Sequence, residues 1–141
     1  MHSRLLFLII ISFFTFQLYA IPTNYFISPT GNNTNNGLTS TAPKATLANV
    51  FSTYNLGLGD TIFVAVGTYS EKGIVVGTDD EGFVIQGASL DASGVPTSIF
   101  ESNQTESWLI FGDDNNNITI NKIKVKDFKS KMLPQMGEVF V

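Results

Sequence analysis

The sequence predicts an all-β protein wound from short strands, with one short helix ahead of them. Three observations carry that expectation. From residue 60 onward, apolar runs of three to six residues, rich in β-branched and aromatic side chains, are separated by Gly, Asn, Asp and Ser. None of these runs is joined to the next by the Asn-Gly or Asp-Gly pair of a two-residue hairpin, since the sole Asn-Gly, Asn36-Gly37, lies in an earlier loop. The segment Ile118-Thr119-Ile120-Asn121-Lys122-Ile123-Lys124-Val125 alternates, breaks at Asn121-Lys122 and then resumes. A continuous strand would turn its apolar face outward at that break. A sharp bend at Asn121, a residue that tolerates the left-handed conformation, returns both halves to the interior. Two short strands meeting at a corner describe a solenoid better than a hairpin.

Residues 1–20 read as a secretory signal. Met1-His2-Ser3-Arg4 is a basic start, residues 5–16 are apolar, and the stretch ends on the small Ala20, where cleavage is expected. A membrane span needs about 20 apolar residues, and Gln17 interrupts this one too early. An uncleaved anchor is the competing reading, because Leu18, three residues before the cut, is larger than such sites prefer. The expected location is secreted, extracellular or at the cell surface.

The 141-residue chain has room for one domain or part of one. Without cysteine it has no disulfides, no CxxC redox centre and no thiolate metal site. A formal net charge of −4 argues against nucleic acid as a partner, since phosphate neutralisation needs clustered Lys and Arg. His2 and Arg4 are the only histidine and arginine, and both fall in the signal. The 12 acids then face 7 lysines, the 8 basic residues less Arg4. A Ser-His-Asp triad, a His-ligated metal and an arginine clamp are excluded from the mature chain.

Residues 21–59 form an entry segment and a capping helix. Tyr25-Phe26-Ile27 is a short strand, and residues 28–37 are dense in turn formers. Leu47, Val50, Phe51 and Tyr54 fall at helical spacing, predicting two to three turns over 46–54 that Gly57 and Gly59 close. A helix that short must lie on something apolar. Strands are expected within 60–141 at 61–66, 73–76, 83–86, 98–100, 108–111, 118–120, 123–125 and 139–141, with Gly87 as a corner one turn before Asn121.

Several of these segments resemble the start of secreted right-handed parallel β-helix proteins of the pectate-lyase-like superfamily. They are Tyr25-Phe26-Ile27-Ser28-Pro29-Thr30-Gly31-Asn32, Asn36-Gly37-Leu38, Ala42-Pro43, Ala45-Thr46-Leu47, Gly59-Asp60-Thr61-Ile62-Phe63-Val64-Ala65, Gly67-Thr68-Tyr69 and Phe83-Val84-Ile85-Gln86-Gly87, with the coil over 117–127. The resemblance implies a right-handed parallel β-helix whose first coil is capped by the helix near 46–54, acting on or binding polysaccharide. At on the order of 20–30 residues per coil, residues 60–141 make about three coils, the least that buries a core. The chain stops within the apolar Glu138-Val139-Phe140-Val141, so it reads as the N-terminal part of a longer protein. A short β-sandwich is the alternative architecture.

Candidate sites follow from the acids, lysines and aromatics. Asp79-Asp80-Glu81 puts three carboxylates on one loop, the kind of oxygen donor set that Ca²⁺ takes, although without the spaced D-x-D-x-D-G pattern. Gly112-Asp113-Asp114 is similar to an element of polygalacturonases, which also need a His motif that the mature chain lacks. Pectate lyases use a basic residue, usually Arg, beside calcium, a role that only Lys could fill here. Lys122, Lys124 and Lys126 alternate outward from the strand at 123–125, with Lys129 and Lys131 following, and such a stripe suits an acidic polysaccharide or cell-surface glycan. Trp108 and Tyr69 would stack on sugar rings if exposed. Asn32-Asn33-Thr34, Asn103-Gln104-Thr105 and Asn117-Ile118-Thr119 fit the glycosylation acceptor pattern. Two classes of function follow: the front of a carbohydrate-active enzyme whose catalytic residues lie on later coils, or a non-catalytic, adhesin-like surface module.

Overall fold

Short strands cannot bury a core unless they stack, and in this chain they stack in parallel. The computed structural model describes residues 21–102, 107–112 and 115–128. In chain order its elements are β1 (Asn24–Ile27), α1 (Leu47–Thr53), β2 (Thr61–Val64), β3 (Gly67–Tyr69), β4 (Ile74–Val75), β5 (Val84–Gly87), β6 (Ser98–Glu101), β7 (Leu109–Ile110), β8 (Thr119–Asn121) and β9 (Ile123–Lys126). Every ladder between these strands is parallel. The sheets are ordered β1-β2-β5-β8, β3-β6-β9 and β4-β7, so from β2 onward the chain visits three sheets in rotation. The fold is mainly β with one short helix. β3, formed by Gly67-Thr68-Tyr69, is a strand that the sequence pattern did not mark, because three residues hold too little alternation to register. The expected strand at 139–141 lies outside the described residues.

In-register stacking turns alternation within each strand into columns across the sheet. Tyr25, Ile62, Ile85 and Ile120 share one inward column of the first sheet, and Ile27, Val64 and Gly87 share the next. From the second sheet Tyr69 stacks on Phe100 at 4.8 Å, and Trp108 tilts against Phe100 at 4.7 Å. These rings and the aliphatic columns form one buried cluster.

The first layer needs a cover, because the free edge of β1 would otherwise present unpaired backbone. The entry loop supplies it. Phe26 N–H donates to Gly37 O, Lys44 N–H to Phe26 O and Ser28 N–H to Lys44 O, at 2.7, 2.9 and 2.9 Å. The Lys44 side chain is buried, and its Nζ donates to Asn49 Oδ1 at 2.7 Å, Asn35 O at 2.9 Å and Asn33 O at 3.4 Å. A buried ammonium is tolerated when its donors are matched in this way. Helix α1 buries Leu47, Val50 and Phe51, as its spacing predicts, and packs against β4. Thr46 caps its start by accepting from Asn49 N–H at 3.2 Å. Glu71, on the β3–β4 connection, accepts from Leu47 N–H and Ala48 N–H, both at 2.9 Å.

The corners differ in detail from the sequence expectation. The left-handed residue between β8 and β9 is Lys122, at φ 54°, while Asn121 stays in β8. Asn117 at φ 56° and Asp127 at φ 59° bracket the same pair of strands. Asn121 is kept in register by its side chain, whose Nδ2 donates to Gln86 Oε1 at 3.0 Å. Gly87 is not a corner residue either: it ends β5, and a Cβ there would collide with the Lys122 carbonyl one layer on.

A recurring turn leads into each strand of the first sheet after β1. In Gly57-Leu58-Gly59-Asp60 the carboxylate accepts from Gly57 N–H at 2.9 Å, and in Gly77-Thr78-Asp79-Asp80 the equivalent bond is 2.8 Å. Asn115 Oδ1 accepts from Gly112 N–H at 2.6 Å in the third turn. The remaining polar atom of each side chain reaches one layer back. Asp60 Oδ1 accepts from Thr23 N–H and Asp80 Oδ1 from Leu56 N–H, both at 2.6 Å. Asn115 Nδ2 donates to Gly77 O at 2.6 Å and Asp80 O at 2.8 Å.

Gly87→Ala lowers the stability by roughly 2–3 kcal/mol through overpacking against backbone that cannot give way, read as a lower urea midpoint with an unchanged m-value. Burial pushes the Glu71 carboxyl above its ordinary value of 4.5, with the Ala48 and Leu47 hydrogen bonds pulling it partly back. The folded chain therefore holds this proton more tightly than the unfolded one. The group's favourable contribution is complete below pH 4.5 and is lost as the pH rises through the folded value. Glu71→Gln removes that loss, so its stability relative to the parent rises with pH across this window in urea titrations.

Candidate functional site

On the outward side of the first sheet the same register builds a polar and aromatic column. Phe26, Phe63, Gln86 and Asn121 occupy matching positions on β1, β2, β5 and β8. The Phe26 and Phe63 rings stack with centroids 5.3 Å apart and planes 17° apart. Phe63 is 37% exposed, and Phe26 beside it is half-buried. Gln86 is oriented from two directions, donating through Nε2 to Gly87 O at 2.7 Å and accepting at Oε1 from Asn121.

The entry loop rises beside this column and makes it one side of an open groove of about 490 Å³. The loop is held there by the β1 edge bonds and by the anchored Lys44, and it contributes Ser40, Thr41 and Pro43 to the groove. The exposed Ser28 and Thr30 hydroxyls, 3.0 Å apart, add to the same lining. No described residue lining the groove carries a charge. What the arrangement offers is an apolar aromatic surface bordered by hydroxyls and an amide, which suits binding and supplies no acid or base.

The other candidate residues fall elsewhere. Trp108 is 8% exposed and packed against Phe100, so it belongs to the core instead of presenting a ring for stacking. Its indole N–H has no hydrogen-bond partner among the described residues. Tyr69 is buried too, donating to Ala65 O at 3.0 Å and Ile27 O at 3.3 Å, and burial raises its phenol pKa. Lys122 is exposed at the β8–β9 corner, and Lys124 sits outward on the second sheet beside Ile99. Lys126 lies 3.0 Å from Glu101, whose hydrogen bond and charge raise the ammonium pKa. The three lysines are therefore split between a corner, an open strand face and an ion pair, and none lines the groove. Asp113, Asp114, Lys129 and Lys131 lie outside the described residues.

Asp79, Asp80 and Glu81 do not converge. Asp80 is buried with both oxygens committed to Leu56 and Gly77 amides, while Asp79 and Glu81 are exposed. Among the described residues no three acidic or histidine side chains are grouped to hold a metal. None of the described helices is long and apolar enough to cross a membrane. Comparison with protein families, curated proteins and solved structures finds no match for this chain.

Asp80→Ala leaves two amides unsatisfied and costs about 3 kcal/mol, whereas Asp79→Ala and Glu81→Ala stay within about 0.5 kcal/mol. Thermal unfolding with calcium and with a chelator checks this. Equal effects of all three substitutions, seen only with calcium present, would establish a metal loop in place of a buried turn.

Proposed function

We propose that this chain is the N-terminal part of a secreted right-handed parallel β-helix protein of the pectate-lyase-like kind, and that it binds extracellular polysaccharide along the outer face of its first sheet. The observation that carries the reading is the stacked pair of the half-buried Phe26 and the exposed Phe63, which lines that face beside a loop of hydroxyls. Aromatic surface with adjacent neutral hydrogen-bonding groups is what a sugar ring, apolar on its faces and polar at its rim, requires of a binding site. Rotation of the chain through three parallel sheets supports the β-helix part of the reading.

A non-catalytic surface module is the form that the groove favours, because no titratable side chain among the described residues lines it. Lyase or hydrolase chemistry in the complete protein would be carried by groups on other coils, with this groove extending the substrate path.

Binding of the full chain to a glycan array tests the proposal. Phe63→Ala and Phe26→Ala each weaken the strongest signals about tenfold, in keeping with roughly 1.4 kcal/mol of lost aromatic contact. Trp108→Phe leaves them unchanged, because that ring is in the core. An array without signals for the folded parent protein overturns the proposal.

A further inference from the structure

The chemistry of the groove is specific about charge. Its hydroxyls each donate and accept, and its amide offers both functions, a match for sugar hydroxyls. A uronate carboxylate only accepts and needs a cation or a dense set of donors when it leaves water. No described lysine lines the groove. Lys44, next to the lining residue Pro43, is 3% exposed, with its ammonium turned to Asn33, Asn35 and Asn49. Lys126 is engaged by Glu101.

Bridging through calcium meets the same obstacle. An ion joining protein to uronate needs protein carboxylates or several oxygens converging on it, and the described lining holds no carboxylate. The wider field acts in the same sense, with 12 acids against 7 lysines beyond residue 20, which repels a polyanion approaching over any distance.

We infer that the groove binds a neutral pyranose glycan and discriminates against polyuronates. The inference rests on the reading of this groove as a glycan site, and it narrows the substrate class to one that the basic stripe of the sequence did not suggest. Phe63 supplies the apolar contact, Ser40 and Thr41 line the loop side of the groove, with the Thr41 hydroxyl 3.2 Å from that of Thr39, and Gln86, held by Gly87 and Asn121, is a fixed polar group on the sheet side.

Affinity gel electrophoresis of the full chain tests this with three embedded polymers: hydroxyethyl cellulose, galactomannan and polygalacturonate, the last with and without calcium. The expected result is retardation by at least one neutral polymer and by neither form of polygalacturonate. Phe63→Ala then reduces the retardation about tenfold when expressed as a dissociation constant. Thr41→Lys, a substitution at an exposed loop position, introduces retardation by polygalacturonate. Polygalacturonate retarding the parent protein as strongly as the neutral polymers overturns the neutral-glycan inference and leaves the glycan reading standing. Neutral binding that survives Phe63→Ala, with the variant's unfolding midpoint unchanged, overturns the assignment to this groove. No retardation by any of the polymers overturns both.

Discussion

The fold depends on how the chain re-enters the first sheet. Strands of two to four residues leave much of the backbone in corners, where neither sheet ladder nor solvent satisfies every amide. Asp60, Asp80 and Asn115 meet that constraint, each closing its own Gly-x-x-Asp or Gly-x-x-Asn turn and bonding to the layer before it. Hydrophobic stacking is non-directional and would tolerate a slip. These bonds are directional and set the height at which β2, β5 and β8 begin. Register in turn places Phe63 beside Phe26 and Asn121 beside Gln86, so the outer groove is a product of the inner turns.

Entry loop and helix solve the complementary problem at the start of the stack. Lys44 is central to both. Its backbone completes the β1 edge, while its ammonium gathers the Asn33 and Asn35 carbonyls and the Asn49 side chain on α1. One residue thereby ties the outer wall of the groove to the helix that covers the interior. Glu71 joins the same helix to the following layer from the opposite direction.

Much of this was legible in the sequence. Short apolar runs rich in β-branched and aromatic residues marked every described strand but β3, the spacing of Leu47, Val50 and Phe51 marked α1, and the break in alternation marked a corner to within one residue. The turns were less legible. Asp79 and Glu81 flank Asp80, and a run of acids reads as solvated charge, although only the middle one is committed inward. The signal that separates it is the glycine three residues earlier, repeated at Gly57 and Gly112. The groove was not legible, because Phe26 and Phe63 meet only through a pairing register that neither segment encodes alone. Trp108 shows the converse, a conspicuous ring that tertiary packing claimed for the core.

The turn side chains also have a polarity. Each reaches toward the N-terminal side, Asp60 to Thr23, Asp80 to Leu56 and Asn115 to Gly77 and Asp80. A chain emerging from a ribosome or a translocation pore presents residues in that same order. Each new turn arrives when its acceptors and donors already exist, so the stack can grow as a zipper closed from one end. Loss of early layers strands every later turn, whereas interruption of synthesis leaves the completed turns intact.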